Sequence, residues 1–250
     1  DGVPEASRDF YRRIAFTEDQ WVKLKRTVEF IGLKFLCTPQ TVQDFQLLLR
    51  IGITEVKVSS DNLGNYKLLC AIADSGMGAI ISTGMRDVVE VNIGPLTILH
   101  GHMRNKSGVK HLTLMACTSE YPCPPESVRL KEKFWQRISA LRSLPGFQNA
   151  ALGFSDHTIG STAAVLAMGM GARVFEKHFQ QDGFAELAFL AELEFSADQK
   201  DPVESWACSP AELKAYFDTL KTAWTMLGEG LSAVTDAEKK LREELNVDAC

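Results

Sequence analysis

The sequence predicts an α/β protein built on a parallel sheet, either closed as a barrel or doubly wound. Short apolar runs alternate along the chain with longer segments of helical periodicity, which is the order expected of strand–helix units. Both faces of each run are expected to be covered, as they are in parallel sheets. No linker-like stretch divides the 250 residues, which suffice for one large domain.

Six short apolar runs are predicted to be the strands. In chain order they are Phe35–Cys37, Val56–Ser59, Ala79–Ser82, Leu112–Cys117, Ala151–Phe154 and Arg173–Lys177. Glycines that follow helical segments and precede strands are typical helix C-terminal caps. These glycines are Gly52, Gly76 and Gly171.

Capping signals predict where the helices begin. Thr17 opens the stretch Thr-Glu-Asp-Gln, which has the spacing of a capping box. Apolar residues recur at helical spacing within Thr41–Ile51. The last long helix is expected to begin after Ser209, with Pro210 at its first position, and to run to Leu227.

The domain organisation predicted from these elements is simple. Residues 1–16 form an N-terminal extension, residues 17–230 the parallel-sheet domain, and residues 231–250 a charged helical tail. Within the main domain, only Asp182–Pro202 has no regular pattern.

The composition excludes several classes of protein. Hydrophobic residues make up 45% and charged residues 24%, which rules out a disordered tail, a collagen-like repeat and a disulfide-stapled miniprotein. A net charge of −5 offers no electrostatic footprint for nucleic acid. No apolar run approaches the roughly 18 residues that span a bilayer, so no membrane partner is expected. The N-terminus lacks the pattern of a signal peptide.

The six cysteines favour a reducing compartment. None of them forms a Cys-x-x-Cys pair. In a chain of this length without an export signal, free thiols are the expected state. We therefore predict a cytoplasmic protein.

A small polar cluster follows each predicted strand, which favours the carboxyl-terminal rim of a parallel barrel as the functional surface. Lys57 supplies a point charge in one cluster. Short hydroxyl donors accompany it at Thr38, Ser60, Ser82 and Ser155. This set of residue types suits an anionic, phosphate-bearing substrate.

Two histidines are candidate metal ligands, because His157 and His178 follow neighbouring predicted strands. Glu176 points to the same side of its strand as His178, since side chains alternate with period two. It is therefore a candidate acid–base group or an outer partner of the metal. The other three histidines, His100, His102 and His111, are expected to be surface or core residues.

The segment from about Phe16 to Leu227 resembles the sialic acid synthase family, whose members join phosphoenolpyruvate to an N-acetyl amino sugar. The resemblance depends on an ordered set of motifs rather than on any single one. The motifs are Phe35-Leu-Cys-Thr-Pro, Val56-Lys-Val-Ser-Ser with Asn65-Tyr66, Ile81-Ser-Thr-Gly-Met, Cys117-Thr-Ser-Glu-Tyr-Pro, Gly153-Phe-Ser-Asp-His-Thr-Ile-Gly and Val174-Phe-Glu-Lys-His-Phe.

The resemblance implies a TIM-type (β/α)₈ barrel, of which this sequence carries six of the eight strands. It implies that His157 and His178 hold a divalent ion, manganese first and magnesium second. Phosphoenolpyruvate is then surrounded by Thr38, Lys57, Ser60, Ser82 and Ser155. Ser119 and Tyr121 match the sugar pocket, and Glu176 matches a site carboxylate.

The resemblance also implies the chemistry. The metal polarises the open-chain aldehyde of the sugar, and the enol carbon of phosphoenolpyruvate attacks it. Water then adds to the resulting cation, and phosphate leaves by C–O cleavage. Lys57 is expected to hold the phosphate throughout.

Several positions depart from the family pattern. The first two strands, with their Glu and Lys, have no counterpart in Asp1–Arg13. Val203 and Glu204 stand where a Gly-Pro-Asp-His loop places its Asp and His, and Asn62 replaces a Glu. The C-terminal antifreeze-like domain is also missing.

These departures leave three functions open. The first is a truncated or divergent synthase that uses phosphoenolpyruvate and an N-acetylmannosamine-like sugar. The second is a weak or inactive barrel that binds a phosphorylated ligand or a partner protein. The third is a metal-dependent barrel enzyme that uses another aldose.

Missing strands predict exposed sheet edges. The strands that end at Cys37 and His178 are each expected to lack a barrel neighbour. The chain is therefore expected to fold poorly alone. The alternatives are that it forms a homodimer edge to edge, that its own N-terminal segment or tail covers the gap, or that its natural form is longer.

Overall fold

Five parallel strands form one sheet in the computed structural model. The strands are β1 (Glu55–Val58), β2 (Gly78–Ser82), β3 (Leu112–Cys117), β4 (Ala151–Asp156) and β5 (Val174–Lys177). Each strand pairs with the next one along the chain, in the order β1-β2-β3-β4-β5. The structure describes residues 12, 14–85, 111–133, 149–180, 207–228 and 234–245.

The predicted strand Phe35–Cys37 is reduced to a single bridge, which is a correction to the sequence prediction. Cys37 bridges Val56 in the parallel sense, and the Lys57 N–H donates to the Cys37 carbonyl at 3.0 Å. The next ladder bond on this side requires an N–H at residue 39. Pro39 has none, so the ladder ends there.

The sheet curves strongly, as a barrel wall does. Lys57 on β1 and Glu176 on β5 approach to 3.5 Å between Nζ and Oε2. Neighbouring strands lie about 4.8 Å apart, so four steps across a flat sheet would separate these strands by about 19 Å. Two side chains cannot cover that distance. The five strands are therefore an arc of a barrel, with Lys57 and Glu176 on its inner face.

The edge beyond β5 is partly covered, contrary to the sequence prediction. Cys208 forms a parallel bridge with Phe179. Its N–H donates to the His178 carbonyl at 2.8 Å, and its carbonyl accepts from Gln180 at 2.8 Å. Cys208 thus satisfies backbone groups that an open edge would leave unpaired.

Two helices begin at the predicted caps, Thr17 and Ser209, and a third begins after Thr41. Each of these three residues accepts a hydrogen bond from the third helical residue in a capping box. Gly52, Gly76 and Gly171 adopt positive φ angles between helix and strand, as predicted. The helices are α1 (Glu18–Phe30), α2 (Val42–Arg50), α3 (Tyr66–Ser75), α4 (Pro125–Val128), α5 (Thr162–Gly169), α6 (Pro210–Leu227) and α7 (Asp236–Glu244).

Two apolar clusters lie between the sheet and its helices. One joins α2 and α3 to the first strands through residues such as Phe45, Leu69 and Ile81. The other joins α5 and α6 to β4 through residues that include Phe154 and Tyr216. This packing covers the outer face of the arc and leaves the polar carboxyl ends of the strands to form a site.

Some predicted features lie outside the described residues. They are His100, His102, the irregular segment Asp182–Pro202, Val203 and Glu204. In the tail, α7 has only exposed residues. Among the helices that the structure describes, none combines the length and apolarity of a membrane span.

Candidate active site at the carboxyl ends of the strands

The sheet register places one row of polar side chains across the inner face of the arc. Cys117 on β3 pairs with Ser155 on β4, and Ser155 pairs with Glu176 on β5. Paired residues on adjacent parallel strands point to the same face. Ser155 Oγ donates to Glu176 Oε2 at 2.7 Å, so this row is also a hydrogen-bonded chain.

Lys57 is the cationic centre of the site. Its side chain is 8% exposed, and Nζ donates to Ser82 Oγ at 2.7 Å. Nζ also lies 3.5 Å from Glu176 Oε2. The structure therefore brings Lys57, Ser82, Ser155 and Glu176 together, while their role in binding or catalysis stays a prediction. One positive charge is held between a hydroxyl and a carboxylate, where an anion can reach it.

Two further predicted hydroxyls, those of Ser60 and Ser119, lie beside Gly84 at the ends of β1, β2 and β3. Ser60 is buried, and its Oγ accepts the Gly84 N–H at 3.0 Å. A Cβ added at Gly84 would lie 2.7 Å from Ser119 Oγ and 2.8 Å from Ser60 Oγ. Only glycine therefore allows these hydroxyls to approach one another. Thr38 is half-buried and directly follows the bridge residue Cys37 at the start of the arc.

The two candidate metal ligands lie side by side. The ring centroids of His157 and His178 are 5.3 Å apart. His157 Nδ1 lies 2.6 Å from the Thr118 carbonyl oxygen, which can only accept, so Nδ1 carries the hydrogen of this contact. In the neutral ring Nε2 is then the nitrogen that carries the lone pair, and it lies 3.4 Å from Ser155 Oγ. A backbone carbonyl that orients the ring in this way is usual behind metal-ligating histidines.

Tyr121 covers the histidine pair. Its ring centroid lies 4.2 Å from that of His157 and 5.9 Å from that of His178. Tyr121 is 46% exposed, so one side of its ring faces the open rim. Burial is the main cause that raises the pKa of the Tyr121 phenol, and the neighbouring Cys117 is the second. The phenol therefore stays protonated.

His157 and His178 suit a divalent ion but supply only part of the ligands that it needs. The described part of the chain contains no group of three or more His, Cys, Asp or Glu side chains arranged for a metal. Two imidazoles that bind the same ion do so through metal–nitrogen bonds of about 2.0–2.1 Å. Such rings must lie close together, as His157 and His178 do. The other ligands of such an ion would come from water and substrate.

Cys117 is a site residue that the sequence analysis missed. It is 3% exposed and hydrogen-bonds to His157, Ser155 and Ser60. Burial is the largest single influence and tends to raise the pKa of its thiol, but the hydrogen bond and charge of His157, together with the hydrogen bonds to Ser155 and Ser60, lower the pKa overall. The sequence carried a signal, since Cys117 shares the face of Ser119 at the end of a strand.

The two imidazoles differ in basicity. Burial tends to lower the pKa of His157, but its hydrogen bonds to Cys117 and to the Thr118 carbonyl raise it above the ordinary value. Burial and the adjacent His157 lower the pKa of His178. His178 is therefore the ring that is more readily available in its neutral form.

Asn62 occupies a structural position rather than the rim. It is buried, and its amide nitrogen donates to Gln40 Oε1 and to Ser59 Oγ. Its carbonyl oxygen accepts from Asn65 at 3.3 Å. This network ties the turn after β1 to the segment that follows Cys37.

An arc of parallel strands with a lysine, hydroxyls and paired imidazoles at the carboxyl ends defines a (β/α)-barrel protein with its site at the usual rim. The particular family follows from the sequence comparison. The NeuB family model matches residues 3–232, and the chain belongs to the NeuB family.

Curated relatives share modest identity over most of this chain. The N,N'-diacetyllegionaminic acid synthase of Legionella pneumophila is 28% identical over 97% of the chain and 62% of its own length. The N-acetylneuraminate-9-phosphate synthase of Drosophila melanogaster is 28% identical over 94% of the chain and 54% of its own length. The chain therefore spans less than two thirds of the length of these relatives.

Solved structures confirm the TIM-type fold. An N-acetylneuraminic acid synthetase from Leptospira borgpetersenii superposes with a TM-score of 0.75 at 24% identity, over 98% of this chain and 76% of that one. A truncated 3-deoxy-D-arabino-heptulosonate 7-phosphate synthase from Thermotoga maritima superposes with a TM-score of 0.56 at 11% identity, over 85% and 74%. The described residues supply five strands and two isolated bridges of such a barrel.

Proposed function

We propose that this chain is a nonulosonic acid synthase, which condenses phosphoenolpyruvate with an N-acetylmannosamine-like sugar and releases phosphate. The observation that carries the proposal is the position of Lys57, buried, with Nζ between Ser82 Oγ and Glu176 Oε2. Membership of the NeuB family and the synthases among its relatives support the same reaction class.

Lys57 and the surrounding hydroxyls bind the phosphoenolpyruvate. The substrate is an anion, and a buried ammonium group that is only partly neutralised attracts it strongly. Ser82 holds Nζ in place. Hydroxyls of Thr38, Ser60 and Ser155 can rotate to donate to phosphate or carboxylate oxygens. The substrate is thereby held in one orientation while its enol carbon stays exposed to the sugar.

His157 and His178 bind the divalent ion. Their mutual distance and the orientation of His157 by the Thr118 carbonyl support this assignment. Two imidazoles are a softer set than Mg²⁺ prefers, so we place manganese ahead of magnesium. When bound, the ion supplies Lewis-acid polarisation of the sugar aldehyde.

Glu176 moves the proton. Its side chain is 39% exposed, and Oε2 already accepts the Ser155 hydroxyl. The enol carbon bonds to the aldehyde carbon, and the aldehyde oxygen takes up a proton from solvent. Water then bonds to the carbon that carries the phosphate ester and gives one proton to Glu176 Oε2, which later returns it to solvent. The proton of the new hydroxyl passes to the departing phosphate as the C–O bond breaks, which leaves the ketone. Lys57 stabilises the departing phosphate.

Ser119 and Tyr121 bind the sugar. Both lie on the loop after β3, and Ser119 hydrogen-bonds to Tyr121. The exposed side of the Tyr121 ring offers an apolar surface for the sugar ring beside the histidine pair. This position brings the aldehyde end of the sugar next to His157.

Phosphate release by the purified chain tests the proposal. The chain is incubated with phosphoenolpyruvate, N-acetylmannosamine and Mn²⁺, and the condensed product is identified by mass spectrometry. Glu176→Gln is expected to keep phosphoenolpyruvate binding and to lose at least 100-fold in turnover, within the usual range for general acid–base groups. Glu132→Gln, an exposed surface change, serves as the control.

Two outcomes would contradict the proposal. Binding of phosphoenolpyruvate without turnover by the wild-type chain would favour the alternative, a barrel that binds a phosphorylated ligand. Equal turnover by Glu176→Gln and Glu132→Gln would remove Glu176 from the chemistry.

A further inference from the structure

A buried ion pair lies behind the two candidate metal ligands, on the opposite face of the sheet. Lys177 Nζ is 3.3 Å from Asp156 Oδ2. The two side chains are 4% and 0% exposed. Asp156 and Lys177 are also register partners at the ends of β4 and β5. The pair therefore links these two strands at their last paired position.

Each member of this pair directly precedes a histidine of the site. Asp156 is followed by His157, and Lys177 by His178. Because side chains alternate along a strand, the ion pair points away from the inner face while the histidines point toward it. The ion pair thus links, from the opposite face of the sheet, the two backbone segments that carry the histidines. The distance between the imidazoles depends on these segments.

The same pair holds the loop that follows His157. Lys177 Nζ donates to the carbonyl oxygens of Thr158 and Gly160. Asp156 Oδ1 accepts the Thr158 N–H at 2.9 Å and the Thr158 hydroxyl at 2.7 Å. His157 is therefore flanked on both sides by backbone that these two side chains fix.

Packing holds only part of this loop, because Thr158 is buried but Ile159 and Gly160 are exposed. A cavity of about 290 Å³ separates Thr158–Ser161 from the described residues of α6, with Tyr216 and Thr219 on its far wall. A buried ion pair is seldom more stabilising than an apolar pair of similar size. An apolar pair, however, would offer no donors to the loop carbonyls. The hydrogen-bonding role is thus what distinguishes Lys177 from a merely well-packed residue.

We infer that Asp156 and Lys177 are positioning residues that set the spacing and orientation of His157 and His178 for one divalent ion. The inference rests on the proposed function for the identity of the ion. Partners behind metal ligands typically contribute 10- to 100-fold to metal affinity. The ion pair is placed to have such an effect on both histidines at once.

Manganese binding to the full chain is the first test, measured by electron paramagnetic resonance at constant pH. Lys177→Met is expected to weaken Mn²⁺ binding at least tenfold, and Lys177→Arg to restore part of the loss. The double variant Asp156→Asn/Lys177→Met removes both charges, so it avoids an uncompensated buried carboxylate and is expected to fold.

Two controls separate positioning from general stability. Lys214→Met removes an exposed ion pair with Asp218 on α6 and is expected to leave Mn²⁺ affinity unchanged. Leu48→Ala destabilises the distant cluster under α2 and is also expected to leave the affinity unchanged. Equal Mn²⁺ affinity in wild type, Lys177→Met and the double variant would overturn the inference.

A metal-free measurement keeps the inference separate from the proposed function. Imidazole ¹⁵N shifts of His157 and His178, and hydrogen exchange of the Thr158 amide that donates to Asp156 Oδ1, are recorded without metal. Lys177→Met is expected to shift both rings and to speed exchange at least tenfold. If wild type binds no Mn²⁺, the metal assignment fails while these data still decide the positioning role. Unchanged shifts and exchange in Lys177→Met and the double variant overturn it.

Discussion

Lys57 Nζ lies 3.5 Å from Glu176 Oε2, although three strands separate β1 from β5. The contact requires a strongly curved sheet. It joins the cation on β1, at one end of the arc, to the carboxylate on β5, at the other end. Ser82 and Ser155 join the same group from β2 and β4. Four strands thus contribute to one charged centre, so its geometry reports on the curvature of the whole arc.

Lys57→Met is expected to weaken phosphoenolpyruvate binding. Met keeps most of the side-chain length but removes the charge and the hydrogen bond to Ser82. A charge-assisted hydrogen bond contributes about 1.5–3 kcal/mol, so affinity should fall roughly 10- to 100-fold. Isothermal titration calorimetry measures the change. Lys239→Met, at an exposed ion pair on α7, is the control and should bind as wild type does. Unaltered affinity in Lys57→Met would make Lys57 a structural residue.

His157→Ala is expected to abolish most divalent-metal binding, because it removes one of only two proposed protein ligands. Mn²⁺ titration followed by electron paramagnetic resonance gives the affinity directly. His111→Ala provides a matched control, since His111 is exposed and precedes β3 at the opposite end of the sheet. A similar Mn²⁺ affinity in the two variants would contradict the metal assignment.

Gly84→Ala is expected to impair the site through sterics alone. The new methyl group would meet Ser119 Oγ at 2.7 Å and Ser60 Oγ at 2.8 Å, so at least one hydroxyl has to move. We expect overpacking to lower the free energy of unfolding by about 1–3 kcal/mol and to weaken phosphoenolpyruvate binding. Urea unfolding and calorimetry measure the two effects.

Gly169→Ala is the matched control for Gly84→Ala. A Cβ at Gly169 meets nothing within 4 Å, and the residue ends α5. This change should stabilise the fold by about 0.4–1 kcal/mol through the unfolded chain. Equal effects of the two substitutions would show that the contacts around Gly84 are not tight.

Trp21→Ala is expected to destabilise the Cys37 end of the arc. Trp21 packs edge-on against Phe35 and Phe16, with ring centroids 6.3 and 5.2 Å away. Two aromatic pairs at about 0.5–1.5 kcal/mol each predict a loss of about 1–3 kcal/mol in the free energy of unfolding. Urea unfolding gives the loss, and light scattering detects association through the uncovered edge.

Phe30→Ala is the control for Trp21→Ala, because Phe30 lies on the same helix and is 90% exposed. It should unfold as wild type does. A Trp21→Ala variant that is as stable and as monodisperse as Phe30→Ala would show that α1 does not protect this edge.

The local elements could be predicted because their signals are local. The capping residues Thr17 and Ser209, the apolar strand runs and the three glycine caps each act within a few neighbours along the chain. The first run was predicted as a strand but forms only one bridge, at Cys37. Pro39 lacks the N–H that would extend the ladder beyond this bridge, but it does not account for the lack of strand pairing at Phe35 and Leu36.

The sequence by itself determined which side chains lie at the carboxyl ends of the strands, because alternation and strand order decide face and end. It could not determine the distances among them. The contact between Lys57 and Glu176 depends on sheet curvature, and the cover at His178 depends on the return of the chain at Cys208. The ion pair of Asp156 and Lys177 depends on strand register. These are properties of elements far apart in the chain, so only the tertiary structure decided them.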